Sequence, residues 1–213
     1  MKHFISVFLL FIWMFSVVSG QENPYKEFGI DNSTEDLPQG LAVGTDAPNF
    51  KLYDVNGDSH ELYSSLDKPI ILIFYRGNWC GHCNRYLSRI QDSLKYINKA
   101  GAMLWAITPQ TLENAEIMQN KQETNFPILS DVTEEVMISY DVIFNVTKSY
   151  QHKISIGKFT SISGHNGQEE AHLPVPATFI IDKNHKIIFR HFDYNYSKRA
   201  SVEEILAALS KIQ

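Results

Sequence analysis

Residues 70–97 read IILIFYRGNWCGHCNRYLSRIQDSLKYI. The opening run, Ile70 to Tyr75, is continuously apolar and rich in β-branched and aromatic residues, the pattern of a strand buried on both faces of a sheet. After Cys80 the period changes. Tyr86, Leu87, Ile90, Leu94 and Ile97 fall on one face of a helix that Gly101 can terminate. The only two cysteines of the chain, Cys80 and Cys83, therefore lie where a strand passes into a helix, on the helix's first turn.

A pair spaced Cys-x-x-Cys can be a staple, half of a metal site or a working dithiol. A staple stabilises by closing a long loop in the unfolded chain, and two intervening residues close almost nothing. A structural zinc site needs four ligands, and there is no second cysteine pair. His165 and His172 lie far downstream, while His185 and His191 fall in what reads as a strand hairpin, so no ligand set forms around the pair. The working dithiol is the leading reading.

Outward from this junction the chain alternates strand and helix. Residues 49–63 read as a β-hairpin turning at Asn56-Gly57-Asp58. Downstream come a strand at 102–107, a helix at 112–122, a strand at 126–130 and a short helix at 133–140. Next is a long irregular insertion, about 144–173, carrying Gly157, Gly164 and Gly167. Strands at 173–182 and 186–190 follow, and a last helix opens on Ser201 and Glu204, spaced as a capping box. This is an α/β fold with helices on both sides of a sheet.

The 213 residues, 44% apolar and 20% charged, suffice for one good core. A net charge of -5 with scattered Lys and Arg sets nucleic acid aside as a partner. Residues 1–20 have a basic start, an apolar run at 4–18 and small residues at 18–20, the parts of a cleaved secretory signal peptide, with an uncleaved membrane anchor as the alternative. The expected organisation is a signal peptide at 1–20, a polar flexible lead-in at 21–40 and a domain at 41–213. Export to a periplasmic or secreted location follows, with no stable membrane span after cleavage.

Strand, Trp79-Cys-Gly-His-Cys83, helix, strand, and then Val175-Pro176-Ala177-Thr178 ahead of an apolar strand resemble the thioredoxin fold. More narrowly, Gly44-x-x-Ala47-Pro48-x-Phe50-x-Leu52, then Phe74-Tyr75-Arg76-Gly77 and Ala106-Ile107-Thr108-Pro109, resemble the alkyl hydroperoxide reductase and thiol-specific antioxidant family, the redoxins, over most of 41–213. The resemblance implies a central mixed sheet flanked by helices, with an N-terminal β-hairpin and an insertion before the strand that follows a cis-proline. It implies that Pro176 is that cis-proline and that its loop leaves the preceding backbone, at Val175, free to pair with an extended substrate. An ordinary trans proline opening a strand is the alternative.

The positive end of a helix dipole and the free N–H groups of a first turn favour a thiolate there. Cys80 is the expected nucleophile and Cys83 the residue that resolves its mixed disulfide. Gly81-His82 between them resembles the disulfide isomerases, and an imidazole beside Cys80 would stabilise its thiolate, unless His82 only faces solvent. Trp79 is expected to shield the dithiol. In peroxiredoxins the reactive cysteine closes Pro-x-x-x-Thr-x-x-Cys, and that register places Arg76, Cys80 and Cys83 at the Pro, Thr and Cys. The arginine that peroxiredoxins keep beside the thiolate has no counterpart at 175–177, leaving Arg76 as either its substitute or a surface cation at the strand end. The buried acid of thioredoxins falls at Phe74, so no proton acceptor for Cys83 can be named.

The expected function is an exported thiol:disulfide oxidoreductase serving redox homeostasis and antioxidant defence. It needs no metal or organic cofactor, acts on a protein or small-molecule thiol or disulfide, and has a dithiol redox protein as electron partner. A peroxidase that reduces hydroperoxides with thioredoxin-like reductant is the first alternative, and a non-catalytic binding module with a static disulfide is the second.

Overall fold

The computed structural model describes residues 23–211, so the signal-peptide reading of 1–20 lies outside the described residues. Strand β1 (Lys51–Asp54) and β2 (Ser59–Glu61) form the expected hairpin, and β3 (Ile70–Phe74) leads into α1 (Gly81–Lys99). Next come β4 (Met103–Thr108), α2 (Leu112–Gln122), β5 (Ile128–Ser130) and α3 (Glu135–Ser139). The chain continues through β6 (Ile143–Asn145), α4 (Lys148–Lys158), α5 (Ile162–Asn166) and β7 (His172–Pro174), and ends with β8 (Ala177–Ile181), β9 (Ile187–Phe192) and α6 (Val202–Leu209).

Among the described residues the main sheet runs in the order β2-β1-β5-β4-β3-β8-β9. The β3–β4 and β4–β5 pairs are parallel, and the flanking pairs are antiparallel. The sheet is thus mixed, as expected. β3 lies inside it and every residue is buried, with alternate side chains entering two different cores. Ile71, Ile73 and Tyr75 pack with α1, whose buried face is Tyr86, Leu87, Ile90, Leu94 and Ile97. Ile70, Leu72 and Phe74 pack on the opposite side with Phe50, Tyr140 and Phe179. The apolar run with no alternation is explained by this double coverage.

Three features differ from the reading of the sequence. Residues 144–173 are largely helical and regular, not irregular. Thr147 accepts a hydrogen bond from the Tyr150 amide to open α4, and Ser161 accepts one from the Gly164 amide to open α5. Gly157 and Gly164 lie within those helices, and Gly167 caps α5 at φ 68°. Capping and tertiary packing outweigh the roughly 1 kcal/mol that each interior glycine costs a helix.

The lead-in is packed from Asn23 onward rather than flexible. Asn23 donates from Nδ2 to the Ile30 and Asn32 carbonyls, Ile30 bridges to Val146, and Gly40 donates its amide to the Asp141 carbonyl. Tyr25 stacks on Tyr194 with centroids 4.1 Å apart. The segment looked unstructured because a few anchors among many polar residues leave no periodicity, yet Ile30 is only 1% exposed.

The Val175–Pro176 peptide is trans, since the described residues contain no cis bond. Trans is the lower-energy isomer by about 0.5–1 kcal/mol at proline. Here β7 runs extended into β8 while the Val175 amide is held by the Val142 carbonyl at 2.7 Å. That hydrogen bond also corrects the second half of the expectation, because the Val175 amide is already paired within the chain.

Candidate active site

Chain direction at the end of β3 builds the site. Tyr75 continues the sheet by donating its amide to the Ile107 carbonyl, and Gly77 then turns the backbone at φ 148°. A Cβ at Gly77 would lie 2.7 Å from Trp79 Nε1 and 2.9 Å from Gln110 Cδ, so only glycine fits both the conformation and the space. The Cys80 amide closes the turn on the Gly77 carbonyl at 3.1 Å, and α1 begins at the next residue.

Cys80 is the N-cap of α1, and its sulfur accepts a hydrogen bond from the Cys83 amide at 3.3 Å. Cys80 and Cys83 are joined as a disulfide, with Cα atoms 5.3 Å apart. Both are buried, Cys80 at 3% exposure, and the side open to solvent is marked by the exposed His82. At this rim a Cβ added to Gly81 would meet Arg85 Nη1 in ordinary van der Waals contact at 3.7 Å.

Arg76 is not a surface cation. Gly77's turn sends its side chain inward, where it is 2% exposed. Nη1 donates to the Tyr150 hydroxyl at 2.9 Å and Nη2 to Cys80 Sγ at 3.5 Å, while the guanidinium lies 3.6 Å from the centroid of Tyr196 and 5.5 Å from that of Trp79. Nε has no hydrogen-bond partner. Among the described residues no carboxylate comes within ion-pair distance of this buried charge. Burial pushes its pKa down, against the Tyr150 and Tyr196 hydroxyls that raise it. Aromatic faces and hydrogen bonds compensate the desolvation in part, which leaves the cation available to an anion at Cys80.

A second arginine, which the sequence reading missed, reaches the other sulfur. Arg199 precedes the capping box of α6, donates from Nε to the Tyr196 carbonyl at 2.9 Å, and donates from Nη2 to Cys83 Sγ at 3.3 Å. Its pKa is pushed down to about 9, first by burial and then by the like charge of Arg76, with Tyr86 opposing. Nothing in Lys198-Arg199-Ala200 distinguishes this arginine from a surface one; it lies 116 residues from its cysteine.

His82 lies exposed at the rim of the pair. Its Nδ1 is 3.3 Å from Arg85 Nη2, which can only donate, so Nδ1 accepts and carries no proton. Partial burial, followed by the charges of Arg85, Arg76 and Arg199, pushes the imidazole pKa below its ordinary value. It packs edge-on against Tyr196 at 5.4 Å. Trp79 is 8% exposed, with its ring centroid 5.5 Å from the Arg76 guanidinium. Val175 belongs to the same buried cluster as both cysteines, and Pro176 is buried beside it.

Behind the turn a polar network fixes the loop. Gln110 Oε1 accepts from the Asn78 amide at 2.8 Å, Gln110 Nε2 lies 3.2 Å from His165 Nδ1, and Asn84 donates to the Asn78 carbonyl at 3.0 Å. Through His165 the insertion is tied to the cysteine loop. Among the described residues no group of three or more His, Cys, Asp or Glu side chains is placed to hold a metal ion.

Residues 43–190 match the model of the AhpC/TSA family. The chain is 27% identical over 148 residues to the thiol-disulfide oxidoreductase ResA of Geobacillus thermodenitrificans, spanning 69% of this chain and 67% of that one. It is 30% identical over 105 residues to ResA of Bacillus subtilis, which spans 49% of this chain and 58% of that relative. A putative peroxiredoxin of Mycobacterium tuberculosis is 25% identical over 170 residues, 80% of this chain and 96% of its own. Among solved structures, peroxidoxin BcpB of M. tuberculosis aligns with a TM-score of 0.63 at 18% identity, covering 81% of this chain and 99% of that one. Peroxiredoxin Q of Xanthomonas campestris aligns at 0.58 with 18% identity, covering 76% and 90%. At such identities the structures speak for the fold.

Proposed function

The chain belongs to the AhpC/TSA family, and from that premise we propose that it is a thiol:disulfide oxidoreductase whose Cys80–Cys83 pair cycles between dithiol and disulfide. The observation that carries this reading is a disulfide at the first turn of a 19-residue helix with a buried, carboxylate-free guanidinium 3.5 Å from the outer sulfur. Thiolate is the reactive form, and both the helix N-terminus and Arg76 favour it at Cys80.

In the reductive direction the Cys80 thiolate attacks a substrate disulfide. A Cys80–substrate S–S bond forms and the first substrate sulfur leaves as a thiolate. Cys83, one turn along α1, then attacks Cys80 and re-forms the internal disulfide, expelling the second substrate sulfur. A dithiol redox protein returns the two electrons, and the reverse sequence oxidises a substrate. The N-terminal residues 1–20 support export to a periplasmic or secreted setting, where such a cycle would serve redox homeostasis and antioxidant defence. No helix among the described residues is long and apolar enough to cross a membrane.

A second reading, a hydroperoxide-reducing peroxidase, is favoured by one observation: Cys83, at the register of the peroxiredoxin reactive cysteine, has a guanidinium 3.3 Å from its sulfur. Equilibration of the mature protein in glutathione buffers, with peroxide consumption followed on the same sample, separates the two. The first reading expects reversible exchange with slow peroxide turnover, at a potential between about -270 mV for a reductant and about -180 mV for an oxidant or isomerase. Rapid peroxide loss dependent on either cysteine makes the peroxidase primary, and a pair that never exchanges overturns both.

A further inference from the structure

Two depressions meet beside the cysteine loop. One, of about 390 Å³, is lined by Trp79 and Gly81, the chain neighbours of Cys80, and by Lys121, Lys158 and Phe159. The other, of about 400 Å³, is lined by Arg85 and Arg89, and Asn84 borders both. No Asp or Glu lines either of them. All four cations are exposed, and among the described residues none lies within ion-pair distance of a carboxylate. In a chain of net charge -5 this is a local reversal of sign beside the cysteine pair.

The cations come from three elements. Arg85 and Arg89 are one turn apart on α1, Lys121 lies in the last turn of α2 and Lys158 in the last turn of α4. A cation in a last turn complements its own helix dipole, which accounts for either lysine alone. It does not account for two helix ends and the start of α1 delivering unpaired charge to one face. Glu123 and Asp92, the acids nearest in sequence to Lys121 and Arg89, line neither depression.

Phe159 is a second observation. It closes α4 at φ 52°, a conformation that glycine or asparagine usually supplies, and it is 95% exposed. Tyr150 and Ile154 are the residues that α4 buries, so Phe159 adds nothing to the core. The face is also held in register with the dithiol. Gln110 Nε2 lies 3.2 Å from His165 Nδ1 of α5, and Gln110 Oε1 accepts from the Asn78 amide two residues before Cys80.

We propose that this face docks an acidic polypeptide, a segment of the disulfide-bearing substrate protein with carboxylates beside its cysteine and an apolar side chain set against Phe159. This rests on the disulfide-exchange reading and names its substrate class. The covalent step is unchanged: the Cys80 thiolate attacks the substrate disulfide, the Cys80–substrate bond forms, and the electron pair leaves on the other substrate sulfur. Lys121, Lys158 and Phe159 hold the segment while this happens. Complementary charge acts on encounter and orientation, so the gain belongs to the second-order rate constant and is lost in salt.

The test compares probes on reduced mature protein. Two synthetic peptides, one with Asp on both sides of a cysteine followed by Phe and one with Asn at those places, are made as 2-thiopyridyl mixed disulfides. The 2-thiopyridyl disulfide of mercaptoethanol is the small uncharged control, and release of 2-thiopyridone gives each rate. The acidic peptide is expected to react about tenfold faster than the neutral one at low salt, with the advantage gone in about 1 M salt. The double variant Lys121→Gln, Lys158→Gln removes most of that advantage, and Lys121→Glu, Lys158→Glu reverses the preference. Phe159→Ser slows both peptides about threefold and leaves the small control within about twofold. These side chains are exposed, so folding does not confound the comparison. An acidic peptide no faster than the neutral one overturns the proposal, as does an advantage that survives in the lysine variants. If oxidised glutathione loses as much rate as the acidic peptide in Lys121→Gln, Lys158→Gln, the face takes a small anion and the polypeptide assignment falls. If the small control does not react, it is the exchange reading that fails.

Discussion

Arg76 is a buried charge among aromatic rings, a hydroxyl and one sulfur, with the like charge of Arg199 near enough to act, and its depth is what gives it chemistry. On the surface the same guanidinium would be screened and its pull on a thiolate small. Arg76→Met therefore raises the Cys80 thiol pKa, and each unit of that rise lowers the thiolate available at neutral pH about tenfold; the rate of iodoacetamide alkylation against pH checks it. His82→Ala, by contrast, leaves the alkylation rate within about twofold of wild type, because the surroundings of His82 disfavour its charged form. A larger loss would mean that His82 is protonated in the reduced state. Gly77→Ala places a methyl group against Trp79 and Gln110 in a backbone region hostile to L-residues, and costs upwards of about 1 kcal/mol in denaturant unfolding.

At the scale of elements, α1 does two things at once: its apolar face anchors it to β3 and its first turn carries the sulfurs. Ile90 is fully buried in that face, and Ile90→Ala should lower stability by about 2–5 kcal/mol in equilibrium denaturation. The short helix α3 depends on a buried carboxylate. Asp131 accepts from the Met137 amide at 2.8 Å and the Val136 amide at 3.3 Å, yet burial raises its pKa to about 7. Between its unfolded value near 3.8 and that raised value the folded protein holds a proton that the unfolded chain has released, so stability falls as pH rises through this window. Asp131→Asn should flatten that part of the stability-against-pH curve, and a curve unchanged by the substitution would show that Asp131 ionises normally.

For the whole molecule, segments remote in sequence converge on one guanidinium. Tyr150 comes from the insertion, Tyr196 from the stretch before α6, and both are overlain by the N-terminal segment: Phe28 meets Tyr196 edge-on at 6.0 Å, and a Cβ on Gly29 would sit 2.7 Å from the Tyr150 ring. Gly29 also has φ 95°. Gly29→Ala should thus do more than destabilise the lead-in. By displacing Tyr150 it should weaken the hold on Arg76 and shift the Cys80 alkylation profile to higher pH, whereas a shift in stability alone would show that the lead-in and the dithiol are uncoupled.

The strand-to-helix junction, the sheet with helices on both faces, the close cysteine pair and the cap at Ser201 are legible from the chain alone, because each is written in local order: an unbroken apolar run, a 3.6-residue period, a fixed spacing, a capping pair. Tertiary structure alone decided the electrostatics of the site. Whether Arg76 turns inward depends on Gly77 and on an aromatic cage drawn from positions 150 and 196. That Arg199 meets Cys83 depends on docking α6 beside α1. The trans bond at Pro176 and the capture of the Val175 amide by Val142 depend on how β7 joins β8. A charge acts through its distance and its dielectric surroundings, and neither is a property of sequence separation.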